Sequence, residues 1–272
     1  TTNLPVICSL AFENNGRTLM GTDPSVAAVV LNALGADVVG ANCSFGPEHM
    51  LGIVKAMHEA GGGYICIKPN AGLPEIVGGQ AVYEEDPVGF AKTVSQSVRY
   101  GARLIGGCCG TTPEYIKELR KILEGTEPVA PNERPRTVIT SGTRMVDIKS
   151  LNCENVGMLD FIKDEALGAI IRSGCIDELD EIAIDLSSED YEAVCISLDS
   201  GDDGLLAKVV DRVQWYLKAP LIIETESPGA LNRALRIYRG IAGVLIKKSC
   251  DKLMDEIKAV AGKYGSVAFM FN

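Results

Sequence analysis

Ile105-Gly106-Gly107-Cys108-Cys109-Gly110-Thr111-Thr112-Pro113 stands where the apolar run Ala102–Ile105 gives way to glycine and a helix-forming segment opens at Pro113. Successive side chains of an extended strand point to opposite faces, so a strand cannot aim Cys108 and Cys109 at one point. Flanking glycines lift that restriction, because they adopt backbone conformations closed to other residues. A turn at the strand end can then present two thiolates to one metal ion. Thiolates around an open coordination position are what zinc needs to hold and activate a further sulfur. The competing use of neighbouring cysteines is a vicinal disulfide.

Upstream of this stretch the chain alternates regularly. Residues 4–12 read as a strand and 23–34 as a helix, with Asp23 as cap and Pro24 at the first helical position. A strand at 37–42, a helix at Pro47–Glu59 and a strand at 64–68 follow. A helix at 87–100 carries the apolar spacing Phe90, Val94, Val98, and the strand Ala102–Ile105 and helix Pro113–Leu123 complete the series. Strands apolar on both faces, each followed by an amphipathic helix, indicate parallel βαβ units. Gly35-Ala36 and Gly101-Ala102 mark helix ends by glycine just past the last turn. Glu13, Cys43, Asn70 and the Cys108-Cys109 pair each follow a strand. In a (β/α)8 barrel all these positions share one rim, where barrel enzymes keep their active sites. Three cysteines remote in sequence thereby become neighbours in space.

Residues 126–137 contain three prolines and little that is apolar, which predicts an extended linker. Beyond it, 137–148 reads as a hairpin turning at Ser141-Gly142, and 158–173 as a helix. Strands are expected at 182–186, 193–198, Leu221–Glu224, 242–246 and 267–271, with helices at 205–217, 229–238 and 251–264 between them. The second half is thus a second α/β unit with the same βα rhythm.

The 272 residues are 46% hydrophobic and 23% charged, enough for one large α/β domain or two smaller ones. Acidic residues outnumber basic ones by 36 to 26, and the basic ones form no cluster beyond Lys247-Lys248, which argues against nucleic acid as a partner. No apolar run approaches the ~18 residues of a membrane span. Nine cysteines without a small-domain disulfide spacing, and no signal peptide, point to free thiols in a reducing cytoplasm. The chain opens almost directly on a strand and stops directly after one, which leads to the expectation of a fragment or a processed chain.

Gly40-Ala41-Asn42-Cys43-Ser44-Phe45-Gly46-Pro47, Pro69-Asn70-Ala71-Gly72-Leu73-Pro74 and the paired-cysteine stretch, with 16–24 in support, closely resemble the zinc-dependent homocysteine S-methyltransferase domain that opens cobalamin-dependent methionine synthases. The likeness runs over 4–125 and covers the last four βα units of that barrel. It implies that Cys43, Cys108 and Cys109 are zinc ligands. It also implies that Asn70 lies near the metal and stands in when substrate is absent, and that Glu13 lines the substrate cleft. Homocysteine is the implied substrate and methionine the product. The implied methyl donor is methylcobalamin or a sulfonium or betaine-type small molecule; nothing in the chain resembles a cobalamin-binding module, so any methylcobalamin is expected on a corrinoid-carrying partner domain or protein. The second half resembles, in outline, the pterin-binding barrel that follows in such enzymes. Its ligand signatures are altered, to Asp199-Ser200-Gly201, Glu224-Thr225-Glu226 and Lys248-Ser249, so a barrel that kept its packing and lost its ligand is expected. The expected organisation is a methyltransferase-like part at 1–125, a linker at 126–137 and a pterin-barrel-like part at 138–272.

A thiol of unperturbed pKa ~8.5 is mostly protonated at neutral pH. Zinc removes that proton on coordination, so the protein needs no general base. Against this stands the bland reading of three buried core cysteines. Cys8, Cys66 and Cys195, inside strands, are read as core, and Cys153, Cys175 and Cys250 as structural. His49 and His58 read as solvated helix residues. Glu224 and Glu226 share a strand face, as a paired-carboxylate site or a solvated rim. Gly61-Gly62-Gly63 reads as a turn without a phosphate-loop context, and the acidic run 177–181 as a solvated face. The rival to the enzyme is a non-catalytic assembly module with a structural zinc site, and a further alternative is a different thiol acceptor. The open βα units call for closure by the second half, by chain outside this sequence, or by another copy in a homo-oligomer.

Overall fold

In the computed structural model the described residues are 3–83, 85–133, 137–247 and 250–270. They fall into two compact units, Thr1–Arg134 and Pro135–Asn272. Both are α/β, built on parallel sheets.

The first unit runs β1 (Ile7–Leu10), α1 (Pro24–Ala33), β2 (Val38–Asn42), α2 (Pro47–Glu59), β3 (Gly62–Lys68), β4 (Pro74–Val77), β5 (Gln80–Tyr83), α3 (Pro87–Ser95), β6 (Ala102–Ile105), α4 (Pro113–Leu123) and β7 (Asn132–Glu133). Its parallel strands lie in the order β1-β2-β3-β6. The start signals act as expected: the Asp23 carboxylate accepts from the Ser25 N–H, and Pro24 takes the first turn. Gly101, at φ 88°, closes the 3-10 turn Gln96–Tyr100 that ends the segment expected as one helix over 87–100. Val39, Ala41, Ile65 and Ile67 from the central strands pack on Met50, Val54 and Met57 of α2, all fully or almost fully buried. Neighbouring strands approach so closely at Gly40 that a Cβ there would lie 2.2 Å from the Cys66 carbonyl oxygen. The strand ends after β2, β3 and β6 are thereby held side by side.

Two features depart from the alternation. Part of the expected linker is paired, since β7 lies antiparallel to the start of β3 at Gly62 and Gly63; residues 134–136 lie outside the described residues. The hairpin β4–β5 interrupts the third βα connection. Its strands are short and largely exposed, so they carry no buried-face pattern. The Gly78-Gly79 turn, both residues at positive φ, is the signal that marks it.

The second unit holds a hairpin, β8 (Val138–Thr140) and β9 (Met145–Asp147), then β10 (Val156–Asp160), α5 (Glu165–Ser173), α6 (Leu179–Ser188), β11 (Ala193–Ser197), α7 (Leu205–Val213), β12 (Leu221–Glu224), α8 (Pro228–Ile237), β13 (Gly243–Leu245), α9 (Asp251–Lys263) and β14 (Val267–Phe269). Five parallel strands stand in the order β10-β11-β12-β13-β14. Two expectations are overturned. The helix read over 158–173 is a strand and a shorter helix: Met158, Leu159 and Asp160 pair with Cys195, Ile196 and Ser197, and the helix starts only where the Asp164 carboxylate accepts from the Ala166 and Leu167 N–H groups. The strand read at 182–186 is the middle of α6. Its alternation of Ile182, Ile184 and Leu186 imitates a strand, but Ile184 is exposed, and the core is met by Leu179 and Ala183 and by Ile182 and Leu186, each pair four apart. Phe271, at the end of the last expected strand, and Lys248-Ser249 lie outside the described residues.

Candidate metal centre

β2 ends at Asn42, and the next two residues take left-handed backbone angles, φ 61° at Cys43 and 64° at Ser44. Such angles cost a non-glycine residue roughly 1–2 kcal/mol. Here they are held from several sides. The Cys43 N–H donates to the Lys68 carbonyl at 2.9 Å, the Phe45 N–H to the Cys43 carbonyl at 2.7 Å, and the Ser44 hydroxyl accepts from the Phe12 N–H at 3.1 Å. The result turns the Cys43 side chain off the strand's alternation. Strained backbone of this kind clusters at functional sites.

The loop after β6 is tied to the loop after β3 in the same manner. The Cys108 N–H donates to the Pro69 carbonyl (2.8 Å), the Cys109 N–H to Asn70 Oδ1 (3.1 Å), and the Ala71 N–H returns a bond to the Cys109 carbonyl (2.9 Å). Thr111 Oγ1 donates to the Cys108 carbonyl at 2.7 Å. Asn70 is buried and its own N–H donates to the Phe45 carbonyl at 2.9 Å, so it links all three loops.

These ties bring the three sulfurs into a triangle. Cys43 Sγ lies 3.7 Å from Cys109 Sγ, Cys108 Sγ lies 3.9 Å from Cys109 Sγ, and all three fall within 4.8 Å of one another. A tetrahedral zinc site with Zn–S bonds of about 2.3 Å has sulfur–sulfur edges of about 3.8 Å. The donor set and the two short edges therefore fit zinc. Cys43 and Cys108 are partly buried and Cys109 is exposed, so the triangle has an open side. The thiols do not share protons evenly. The Ser44 backbone hydrogen bond, with help from Cys109, Cys108 and Asn70, lowers the Cys43 pKa against the effect of desolvation. Hydrogen bonds to Cys43 and Cys108, and their charges, raise that of Cys109.

Glu13 sits in the exposed turn after β1, its N–H donating to the Arg17 carbonyl, and it does not join the sulfur cluster. Asn70 does meet the cluster, as the acceptor that holds Cys109 in place. Tyr83, at the end of β5, escaped the reading of the sequence. Its ring packs on Gly110, where a Cβ would lie 2.4 Å from Tyr83 Cγ, and desolvation, then the neighbouring Cys109, raise the pKa of its phenol. The Gly78-Gly79 turn was the available clue.

Other candidates resolve differently. His49 is exposed, but His58 is not a solvated residue: it packs over Gly101, and its Nδ1 is buried without a hydrogen-bond partner. Glu224 and Glu226 do not pair. Glu224 is buried and accepts from Lys247 Nζ at 3.0 Å, whereas Glu226 faces solvent. The acidic run is only partly a solvated face, because Asp180 makes a two-pronged pair with Arg212 and Asp177 lies 3.1 Å from the same guanidinium. Cys66 and Cys195 are buried as expected, and burial with the nearby Glu224 and Asp160 charges pushes the Cys195 thiol up to about 12. Cys8 is half-buried, while Cys153, Cys175 and Cys250 are exposed and pack no core. Among the described residues no helix is long and apolar enough to cross a membrane.

Comparison with known proteins adds a family to this geometry. Residues 1–123 match the homocysteine S-methyltransferase family. The methionine synthase of Mycobacterium leprae (strain TN) is 31% identical over 131 residues, 46% of this chain and 11% of that protein. The methionine synthase of Mycobacterium tuberculosis (strain ATCC 25618 / H37Rv) is 32% identical over 118 residues, 43% of this chain and 10% of that protein. The chain thus spans about a tenth of the length of these relatives. Among solved structures, tryptophan synthase from M. tuberculosis aligns over 97% of this chain and 92% of its own, with a TM-score of 0.30 and 10% identity. Pyruvate carboxylase from Rhizobium etli aligns over 98% of this chain and 23% of its own, with a TM-score of 0.29 and 10% identity. Likeness at that level carries no argument about fold or activity. The match in sequence is closer: residues 1–123 are similar to the homocysteine S-methyltransferase family and to part of these two methionine synthases.

Proposed function

We propose that the first unit holds zinc on Cys43, Cys108 and Cys109 and prepares the thiol of homocysteine for methylation to methionine. The sulfur triangle carries this reading: its three donors come from two strand-end loops, Cys43 after β2 and Cys108 with Cys109 after β6, and among the described residues no fourth His, Cys, Asp or Glu joins them. Structural zinc sites close with four protein ligands, whereas catalytic ones keep a place for water or substrate. That difference favours the enzyme over the assembly module. Zinc held there would supply the Lewis acidity that keeps an incoming thiol as thiolate near neutral pH.

The chain's own residues do the positioning. Lys68, Pro69 and Asn70 fix the backbones of Cys43, Cys108 and Cys109, so the sulfurs need little rearrangement to bind. Asn70 keeps the reserve role near the metal, and Glu13 the place on the cleft wall, that the family resemblance assigns them. The methyl group comes from methylcobalamin on a corrinoid-carrying partner domain or protein. The first unit corresponds to the last four βα units of a (β/α)8 barrel over residues 1–125. The second, over 138–272, corresponds to a pterin-binding barrel whose ligand signatures have changed; the Glu224 carboxylate at its strand ends is already paired with Lys247. A reducing cytoplasm suits nine unpaired thiols.

Titration calorimetry of homocysteine into zinc-loaded and metal-free protein tests this. Binding to the zinc form alone, with about one proton released per homocysteine bound and lost in the Cys108→Ser, Cys109→Ser double variant, is the expected result. Equal binding to both forms, or to neither, overturns the reading.

A further inference from the structure

We propose that Tyr83 is a positioning residue of the metal centre: the β4–β5 hairpin holds its phenol so that it donates a hydrogen bond to the Cys109 sulfur. This rests on the reading of the sulfur triangle as a metal site. The hairpin ties directly into the loops that build that site. Tyr83 pairs across the ladder with Pro74, which ends the loop carrying Asn70. The Gly78-Gly79 turn, at φ 61° and 83°, permits the tight two-residue connection that sets this register. On its other side the ring lies against Gly110 and packs on the cluster of Ala71, Phe90 and Tyr115. Cys109 is thus held at its N–H by Asn70, and the Tyr83 phenol stands close enough to its sulfur to serve as a second grip.

Electrostatics gives the second grip its purpose. Three thiolates around a divalent ion leave one net negative charge, and an incoming thiolate makes it two. Cys109 is the exposed member of the set, and its sulfur lies next to both others, 3.7 Å from Cys43 Sγ and 3.9 Å from Cys108 Sγ. A phenol, with an unperturbed pKa of ~10, keeps its proton at neutral pH and serves as donor. Hydrogen bonds to a ligating sulfur draw off its charge and fix its direction, and losing such a bond typically weakens metal binding about 10-fold or more.

The test loads the full chain with cobalt(II) in place of zinc and reads the thiolate-to-metal charge-transfer bands. In Tyr83→Phe the ring that covers Gly110 stays and only the hydroxyl is lost. The bands are expected to move to lower energy and cobalt affinity to fall about 10-fold, while Tyr64→Phe, an exposed tyrosine on β3, matches the parent protein. Band positions unchanged in Tyr83→Phe overturn the proposal even if affinity falls, since packing alone would explain that loss. Labelling every tyrosine as 3-fluorotyrosine, a stronger donor, provides an independent reading. The bands should shift to higher energy in the parent and stay fixed in labelled Tyr83→Phe; no shift in the parent also overturns the proposal. Failure of the parent protein to show any charge-transfer band would instead overturn the metal site itself, and the proposal with it.

Discussion

Cys109 is the most exposed of the three sulfurs, and its pKa is raised because Cys43 and Cys108 bond to it and repel its charge. Cys43 leans the other way, favoured as thiolate by the Ser44 backbone bond. Metal uptake must therefore expel at least the Cys109 proton at neutral pH. The sign follows: the metal competes with a proton whose pKa is raised, so affinity increases as pH rises, by about tenfold per unit for each proton released. Zinc competition assays between pH 6 and 8 measure the slope; an affinity flat across that range would mean the thiols are already ionised and the shift at Cys109 does not operate. At this scale the sequence was informative about which residues and silent about how they are held. The paired cysteines between glycines, and Cys43 after its strand, could be read directly. The left-handed pair Cys43-Ser44 could not, since neither residue type announces that conformation, and Tyr83 is invisible until a hairpin is known to fold back on Gly110.

Helix starts are legible where a capping side chain precedes proline, as at Asp23-Pro24 and Asp86-Pro87, because one residue satisfies the free N–H groups and the next fixes φ. Elements without such punctuation are where the reading failed. Residues 158–173 carry apolar side chains at spacings that satisfy either period, and pairing with β11 decides for a strand. The hairpin β8–β9 shows how a short element is fastened by a polar side chain as well as by the buried Ile139 and Val146. Tyr238, at the end of α8, is buried; its O–H donates to the Thr140 carbonyl at 2.9 Å and accepts from the Leu221 N–H at 2.9 Å. Burial raises its pKa well above that of a free phenol, so it stays protonated and fills both roles. Tyr238→Phe leaves a buried carbonyl and a buried N–H without that partner and should destabilise the second unit by about 1–3 kcal/mol. Urea unfolding measures it, and an unchanged midpoint would show that the hairpin is held by its apolar contacts alone.

Each unit has its own parallel sheet and its own buried core. Within the first unit, the gathering of Cys43, Cys108 and Cys109 starts from the order β2-β3-β6, which sets the loops after these strands side by side, and is completed by the ties through Asn70. The site is therefore a property of topology as much as of residue type. Zinc-edge X-ray absorption of the zinc-loaded chain, with and without homocysteine, tests this most directly. One zinc per chain bound by three sulfurs at about 2.3 Å, rising to four when homocysteine is added, is the expected result. A zinc shell that gains no sulfur from homocysteine, whether or not a fourth protein ligand closes it beforehand, would contradict it.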